Sequence, residues 1–547
     1  MKSALVIVFF LSVPFFSFSQ QAAEKPKLIV GIVVDQMREE YLFRFRNKFS
    51  GGGFKRLMGE GFTLKNAHYN YVPTYTGPGH ASVYTGTTPA IHGIIGNDFY
   101  DKGTRRVVNC VEDSRYMPVG SKEGNGDVSP ARLLSTTITD ELRLFSQKKS
   151  KVIGISLKDR SAVLPAGHMA NAAYWFDGKS GRFISSTYYM NKLPLWVEKF
   201  NQLGLAEKYL SQDWNTFFPI EQYTESGPDD SPYEMRLLGK EKAIFPYKLK
   251  ELRKKNDFDM ITSTPFGNDI LAEMAKATLE GEQLGKSEAT DFLAISFSST
   301  DIIGHALGPN AVEIEDVYIR LDRNIEDLLK ALDEKVGVGN YTLFLTADHA
   351  VAEVPQYLRD NKIPSGYFSL KDLQVSLNTY LQKYFPGREM IGNISNNQVF
   401  LNQDAFGGDP KTSGVDLLVT TELIANFLMA QEGIANVYTE SVLRQSAYSD
   451  GGIKGMVVRG YNSRRSGDIA YVLEPGWFEG GKAHASTHGS PYSYDTHVPV
   501  LFYGFGISNG TSVKYHTITD IAPTLSILLG IKFPNGCTGQ PIEEVLK

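Results

Sequence analysis

Five short apolar runs, each rich in β-branched residues, constrain the fold of this chain more than any other feature of its sequence. The first is KLIVGIVVDQM (27–37), and similar runs follow at 151–157, 291–298, 341–348 and 498–504. Continuous apolar runs of this length are typical of strands that are buried on both faces, as in parallel sheets. Segments with apolar residues at helical spacing lie between them. We therefore predict an α/β protein, with a central, mostly parallel sheet and helices on both faces.

Two segments interrupt this alternation and predict insertions. Residues 170–260 are rich in aromatic and polar groups, which favours an inserted cap over the sheet. Residues 355–475 contain the run NNQVFLN and a helix-like segment, which favours a small inserted α+β subdomain. A chain of 547 residues is too long for one simple core, so insertions of this size are expected. The predicted core is then formed by residues 20–169, 261–354 and 476–547.

The first residues, MKSALVIVFFLSVPFFSFSQ, have the features of a signal peptide over residues 1–19. A lysine precedes an apolar run, and Ser17 and Ser19 fit a signal-peptidase site. The alternative is a membrane anchor, but the run is short and contains Pro14. We predict cleavage near Gln20, a periplasmic or secreted location and no membrane span in the mature chain.

Charge and cysteine content restrict the partners of this chain. The formal net charge is −5, and no run rich in lysine and arginine is present, so we expect no nucleic acid partner. A small-molecule partner is favoured instead. Cys110 and Cys537 are too few for a zinc site made of thiolates, and the sequence leaves open whether they pair. The oligomeric state is equally open, although we expect a monomer.

Polar side chains follow four of the apolar runs, where ligands bind in open α/β sheets. They are Asp35, Lys158 with Arg160, Asp301 with His305, and Asp348 with His349. Each has an ordinary interpretation, since an aspartate after a strand is commonly a helix N-cap and a pair at i, i+4 is common on helix surfaces. Their joint occurrence nevertheless predicts a metal site. Mixed aspartate and histidine ligands suit zinc, although manganese or iron would accept them too.

A threonine in the stretch YVPTYTGPGHASVYTG (71–86) raises a separate question. Thr76 lies among glycines and prolines, just before a helix-like segment. A hydroxyl at this position is either the N-cap of the helix or a nucleophile held near backbone N–H groups that bind an anion. The stretch alone leaves both interpretations open.

The order of these motifs resembles the alkaline phosphatase superfamily over most of the mature chain. The matching elements, in order, are Asp35, Thr76 in PTYTGPGHAS, TDIIGH, ADH and STHGS. The stretches GNDFY, SLKDRSAVLPAGHMA and NGCTGQPI are similar to its PafA-type periplasmic phosphate monoesterases, which use a threonine nucleophile and two zinc ions. The resemblance implies one Zn²⁺ held by Asp301, His305 and His488, and a second held by Asp35, Asp348, His349 and the Thr76 oxygen. It also implies that Asn97, Lys158 and Arg160 contact the phosphoryl oxygens. His484 competes with His488 as a ligand, and the THGS context favours His488.

The function expected from this resemblance is an alkaline phosphatase that hydrolyses phosphate monoesters to an alcohol and inorganic phosphate through a phosphothreonine. Lys158 and Arg160 lie two residues apart on a segment expected to be extended, so both side chains can project the same way. Their two charges suit a dianionic monoester better than a monoanionic diester. A sulfatase is disfavoured, because threonine cannot be converted to formylglycine and His80 stands where arginine is needed.

Two alternatives remain open from the sequence. The first is a phosphodiesterase or nucleotide pyrophosphatase on the same scaffold, and its test is whether Lys158 and Arg160 matter for catalysis. The second is a metal-stabilised binding protein that captures phosphate or a glycan head group. Thr76 argues against the second alternative, because pure binding needs no nucleophile.

Overall fold

The computed structural model describes residues 24–122, 125–254, 257–406, 415–480 and 485–547, so the predicted signal peptide lies outside the described residues. A ten-stranded sheet organises the chain, and its strands are numbered here in chain order. They are β1 (Leu28–Val34), β2 (Phe62–Leu64), β3 (Pro118–Val119), β4 (Val152–Ser156), β5 (Ala172–Asp177), β6 (Arg182–Ser186), β7 (Asp291–Phe297), β8 (Tyr341–Thr346), β9 (Val500–Gly504) and β10 (Gly510–Ser512). Their order across the sheet is β10, β2, β9, β8, β1, β7, β4, β5, β6, β3.

The five central strands, from β8 to β5, all run parallel. Strand β1 has the sequence LIVGIVV and is buried along its whole length, as a strand covered on both faces must be. It pairs in register with β7, with Leu28 opposite Asp291 and Val34 opposite Phe297. Because the strands end at the same level, the residues that follow them meet at one edge of the sheet.

Helices cover both faces of the sheet, as predicted. One group consists of Thr76–Thr85, Ile138–Phe145, Asp159–Ala166 and Ile521–Leu529, and the other consists of Pro265–Gly281, Ser299–Leu307 and Val312–Lys335. Strands β9, β6 and β3 are antiparallel to their neighbours, so the mixed pairs lie toward the margins of the sheet. The predicted α/β class with a mostly parallel central sheet is confirmed.

Shorter elements connect this core. Short helices are Tyr41–Arg44, Phe54–Glu60, Pro89–His92, Leu195–Gln202, Leu205–Leu210, Leu249–Leu252, Pro355–Asp360, Glu440–Gln445, Gly452–Gly460 and Ser493–Thr496. Two-stranded ribbons pair Asp98–Asp101 with Arg106–Asn109, Ala67–His68 with His516–Thr517, Asp213–Trp214 with Tyr247–Lys248, and Gly366–Phe368 with Trp477–Glu479. Within the part of the chain that the structure describes, no helix has both the length and the apolar character needed to cross a membrane.

A second sheet lies within residues 355–475, where the α+β insertion was predicted. Its four antiparallel strands, in spatial order, are Ile391–Ser395, Gln398–Leu401, Ile469–Leu473 and Ile434–Thr439. Helices Leu370–Gln382 and Leu417–Met429 pack against it and share a hydrophobic cluster with it that is separate from the main core. We call this unit the inserted subdomain.

The start of the predicted cap at residue 170 is wrong. Strands β5 and β6 fall inside residues 170–260, yet both belong to the central sheet. Their aromatic residues, including Tyr174 and Trp175, are buried by that sheet and by the elements packed on it. The aromatic content that suggested a cap therefore reflects a buried strand in part. The remaining division of the chain into domains stays a prediction.

Candidate active site

The carboxyl ends of the central strands bring the predicted polar residues together. Asp35 follows β1 directly, Asp348 and His349 follow β8, and Asp301 lies in the helix that follows β7. All four are buried, with 0% exposure for the first three and 4% for Asp301. Burying several carboxylates in one place is unfavourable unless a partner compensates for their lost hydration.

A first group of possible metal ligands is formed by Asp301, His305 and His488. His305 Nε2 lies 3.1 Å from Asp301 Oδ1, because the two residues are one helical turn apart in Ser299–Leu307. His488 Nε2 lies 3.8 Å from the same oxygen. The competing His484 lies outside the described residues.

A second group is formed by Asp35, Asp348 and His349. His349 Nε2 lies 3.5 Å from Asp35 Oδ1 and 3.8 Å from Asp348 Oδ2. The chain turns after β8, which allows the neighbours Asp348 and His349 to face the same point. The rings of His349 and His488 stack at 3.4 Å, so the two groups adjoin, and His349 can also be grouped with Asp301 and His488.

The donors in both groups fit metal ions. Nδ1 of each histidine is held by a backbone carbonyl, at 3.0 Å in His305, 2.9 Å in His349 and 2.7 Å in His488. With Nδ1–H donating, Nε2 presents its lone pair towards the carboxylates, as in metal-ligating histidines. Asp35 Oδ1 and Asp348 Oδ2 are buried and accept no hydrogen bond from any residue that the structure describes. Nitrogen and carboxylate donors in this arrangement suit zinc.

The electrostatics of the edge also favour cations. Burial, with the charge of Asp301, raises the pKa of Asp35 to about 6. Burial and the charge of Asp35 raise the pKa of Asp348 well above its usual range. Burial would raise the pKa of Asp301 too, but Lys158 and His305 hold it well below its usual range. Two of these carboxylates share one ammonium, since Lys158 Nζ lies 2.7 Å from Asp35 Oδ2 and 2.6 Å from Asp301 Oδ2.

Thr76 is the first residue of helix Thr76–Thr85, and the N-cap is Tyr75. The simple capping role is therefore excluded. The Thr76 side chain lies at the second ligand group, with Oγ1 3.5 Å from His349 Nε2. The glycines of TGPGH allow this close approach, because a Cβ at Gly79 would lie only 2.3 Å from the backbone oxygen of Asp348.

Asn97 lies beside the start of the Thr76 helix, whereas Lys158 and Arg160 line a cavity whose lining does not include Thr76. The backbone N–H of Gly77 donates to Asn97 Oδ1 at 2.7 Å, which places the carboxamide beside the start of the Thr76 helix. Lys158 and Arg160 line one cavity of about 570 Å³. The extended segment expected for them is wrong, because a helix begins at Asp159 with Lys158 as its N-cap. Arg160 Nε is buried and has no hydrogen-bond partner among the described residues.

Sequence reasoning missed Gln36, which links the two ligand groups. Its Nε2 donates to Asp301 Oδ1 at 2.7 Å, and its backbone N–H donates to Asp348 Oδ1 at 3.2 Å. Its φ of 63° is unusual for a residue other than glycine and turns the chain sharply after Asp35. A glutamine after a strand carries no signal of this role, because both of its partners are distant in sequence.

His80 has a structural role. Its Nδ1 lies 2.8 Å from Thr76 O and its Nε2 lies 2.8 Å from Ser296 Oγ, so the ring ties the Thr76 helix to β7. Burial lowers the pKa of His80 to about 3, so the ring is neutral in the folded protein at neutral pH. The cysteines Cys110 and Cys537 are free thiols in the structure.

Comparison with known proteins adds three findings. The family described as type I phosphodiesterase / nucleotide pyrophosphatase matches residues 29–495. Alkaline phosphatase PhoV of Synechococcus elongatus is 45% identical and covers 96% of this chain and 94% of its own, and a protein of Myroides odoratus named calcium-transporting ATPase is 44% identical over 97% of each chain. A crystal structure of wild-type alkaline phosphatase PafA superimposes with a TM-score of 0.91 at 41% identity, covering 96% of this chain and 100% of that one.

Proposed function

The chain belongs to the type I phosphodiesterase and nucleotide pyrophosphatase family, and from this premise we propose that it is an alkaline phosphatase, a hydrolase that converts phosphate monoesters into an alcohol and inorganic phosphate. The observation that carries the mechanism is the position of Thr76. Its hydroxyl lies at the start of a helix, beside the buried carboxylates of Asp35 and Asp348, each of which has one oxygen without a hydrogen-bond partner among the described residues. Phosphoryl transfer through a covalent phosphoenzyme requires a nucleophilic hydroxyl next to a cation-binding group.

The residues that would hold metal are the two ligand groups described above. We propose one Zn²⁺ on Asp301, His305 and His488, and one on Asp35, Asp348, His349 and Thr76 Oγ1. When bound, two such ions would lower the charge on the reacting oxygens and stabilise the attacking and leaving positions of an in-line displacement.

Three other side chains would bind the phosphoryl group. Lys158 and Arg160 supply two positive charges, and the Asn97 amide supplies neutral N–H donors. In this transition state, negative charge is spread over the nonbridging oxygens, and positive groups must compensate for it. Two cations in one cavity offset a dianion more completely than a monoanion, so we propose that monoesters are preferred over diesters.

The reaction would proceed in two displacements. Thr76 Oγ1 loses its proton and forms a bond to phosphorus, while the bond from phosphorus to the alcohol oxygen breaks and that oxygen takes up a proton. The product of this step is phosphothreonine. A water molecule then forms a bond to phosphorus and loses a proton, the bond to Oγ1 breaks, and Thr76 regains its hydrogen as inorganic phosphate leaves.

The phosphodiesterase or nucleotide pyrophosphatase alternative is not favoured. The family description includes it, but the phosphatases PhoV and PafA, at 45% and 41% identity over 96% of the chain, carry the monoesterase name. A pure binding protein is not favoured for the same reason. A binding function would also not need the Thr76 nucleophile.

Substitution of Thr76 tests the mechanism. Thr76→Ala removes the attacking oxygen and should lower kcat for a phosphate monoester by about 10⁴-fold, as loss of a covalent nucleophile does. Thr76→Ser is the matched control, because it keeps the oxygen and should remain active. Acid quenching with radiolabelled monoester should trap a phosphoenzyme in the wild type and in Thr76→Ser. A phosphoenzyme, or undiminished turnover, in Thr76→Ala would exclude Thr76 as the nucleophile.

Specificity is tested with a monoester and its methyl diester, which share a leaving group. The wild-type kcat/KM should favour the monoester, and Lys158→Ala and Arg160→Ala should both reduce that preference. A diester preference would overturn the proposed substrate class.

We further propose that residues 1–19 are removed as a signal peptide, so that the mature enzyme is periplasmic or secreted. N-terminal sequencing of the protein expressed with its full leader should start near Gln20. An intact Met1 on the exported protein would contradict this proposal.

A further inference from the structure

The inserted subdomain reaches the active site through a tight turn. Its strands Ile391–Ser395 and Gln398–Leu401 form a hairpin in which Ser395 pairs with Gln398, so only Asn396 and Asn397 make the turn. Their φ angles are 53° and 57°, both in the left-handed region. Two successive residues of this conformation form the type I′ turn that hairpins prefer, and asparagine tolerates it better than most residues.

Asn396 contacts the backbone on both sides of Asn97. Its Nδ2 donates to the carbonyl oxygen of Asp98 at 2.7 Å. On the other side it packs against Gly96, where an added Cβ would lie 2.5 Å from the same nitrogen. One side chain of the subdomain thus holds the chain before and after the residue proposed to bind phosphate.

Asn97 itself is fixed at two further atoms. Its carbonyl oxygen accepts from the Cys110 N–H at 2.8 Å, and its side-chain Oδ1 accepts from the Gly77 N–H at 2.7 Å. With Oδ1 engaged, the carboxamide presents its Nδ2 hydrogens as donors. The direction of those donors therefore depends on where the backbone of residues 96–98 lies.

We propose that Asn396 is a positioning residue of the active site. Its contacts with Gly96 and Asp98 fix the position of the loop from which Asn97 donates to a phosphoryl oxygen. This inference rests on the proposed function, in which Asn97 is that donor. It gives the inserted subdomain a role in substrate binding that none of the predicted site residues implied.

The expected effect follows from the sensitivity of phosphoryl transfer to placement. A displacement of about 1 Å in a positioned group lowers the rate by up to about 10²-fold, so a partial shift of Asn97 should lower kcat/KM by about 10-fold. Inorganic phosphate should be held by the same amide, so its inhibition constant should rise in parallel.

The experiment uses the zinc-loaded enzyme with Asn396→Gly and Asn396→Asp. Both residues tolerate the left-handed turn, but neither donates from Nδ2. We expect kcat/KM for a phosphate monoester to fall about 10-fold in each variant and the phosphate inhibition constant to rise, with the melting temperature nearly unchanged. Asp404→Ala is the matched control, because it removes an exposed ion pair with Arg105 that joins the same subdomain to the ribbon following Asn97. This control should behave as the wild type.

A double-mutant cycle separates positioning from a general structural role. In an Asn97→Ala background, Asn396→Gly should cause no further loss, because the two residues act on the same contact. Equal losses in both backgrounds, or full activity of Asn396→Asp, would overturn the inference while leaving the proposed function intact. Full activity and phosphate affinity of Asn97→Ala alone would overturn the role of Asn97 as well.

Discussion

Two regions of this protein bury carboxylates, and they differ in how many hydrogen-bond donors they supply to the carboxylate oxygens. Asp316, in helix Val312–Lys335, has no exposed surface and accepts four hydrogen bonds. Its Oδ1 accepts from Tyr223 Oη at 2.5 Å and from the Phe217 N–H at 2.6 Å, and its Oδ2 accepts from Trp214 Nε1 at 2.8 Å and Arg320 Nε at 2.7 Å. Asp35 and Asp348, at the carboxyl ends of the central strands, are equally buried, but Oδ1 of Asp35 and Oδ2 of Asp348 have no hydrogen-bond partner among the described residues.

The difference distinguishes Asp316, whose two oxygens are both paired, from the carboxylates proposed to hold metal. Both oxygens of Asp316 accept hydrogen bonds from the chain itself, so this side chain ties residues 214–223 to the core. The fold supplies the carboxylates of Asp35 and Asp348 with too few donors, because Lys158 contacts one oxygen of Asp35 and the Gln36 N–H donates to one oxygen of Asp348, while the other oxygen of each lacks a hydrogen-bond partner among the described residues. Residue type and burial are the same in both regions, so the partners alone decide the role.

Asp348→Asn should give the largest effect. Removing this charge weakens the second metal group, and we expect kcat to fall by about 10³-fold or more. Stability of the metal-free protein should not fall, because the amide carries no buried charge next to Asp35. Activity assays and thermal unfolding after chelation measure the two effects. A metal-free variant markedly less stable than the metal-free wild type would show that Asp348 is structural, like Asp316.

Metal removal should affect both activity and stability. Chelation should abolish activity and lower the free energy of unfolding by about 4 kcal/mol for each of the two proposed ions, relative to the protein at a free zinc concentration 1,000 times the Kd of that site. Added zinc should restore both quantities. Thermal unfolding with and without chelator measures this, with Asp348→Asn as the comparison, which should respond less. An unaltered melting temperature would mean that the edge carboxylates need no ion.

Asp316→Asn should show the opposite behaviour to Asp348→Asn. An amide in place of the carboxylate cannot accept all four hydrogen bonds and leaves the Arg320 charge without its partner. We expect a loss of about 3 kcal/mol in the free energy of unfolding, with kcat per folded molecule unchanged. Denaturant unfolding and active-site titration measure the two quantities. A loss of kcat without a loss of stability would remove the distinction between the two regions.

A buried histidine with both ring nitrogens hydrogen-bonded should give an effect that is small near neutral pH and grows as the pH falls. His92 accepts from the Ile94 N–H at Nδ1 and bonds Ser82 Oγ through Nε2, so only its neutral form fits. Burial lowers its pKa to about 3 in the folded state, against 6.5 for an unperturbed histidine. Between these values the unfolded chain binds more protons, so stability falls as the pH falls from about 6.5 towards 3.

The contribution of His92 is at most one proton, or about 1.4 kcal/mol per pH unit. Urea unfolding at several pH values, compared between wild type and His92→Gln, measures it. The slope against pH should be shallower in the variant, although its stability at neutral pH is lower. Parallel slopes would show that His92 does not remain neutral in the folded protein.

Much of this architecture could be predicted from the chain itself. The apolar run ending at Asp35 predicted a strand buried on both faces, and the aspartates and histidines after such runs predicted one shared edge, since parallel strands end together. These signals are local, because burial on two faces requires apolar residues within a single stretch. The order of the motifs around Thr76 was specific enough to indicate the superfamily from the sequence alone.

The tertiary structure alone decided other features. Strands β5 and β6 belong to the central sheet, Gln36 bridges the two ligand groups, and Asn396 reaches the loop of Asn97 from a separate sheet. The contacts of Gln36 and Asn396 have no local signature, because their partners lie between 265 and 312 positions away. Apolar periodicity reports which face of an element is buried, whereas a hydrogen bond between distant residues depends on how the elements pack. That packing also leaves one oxygen of Asp35 and one of Asp348 without a donor among the described residues, which the sequence alone does not indicate.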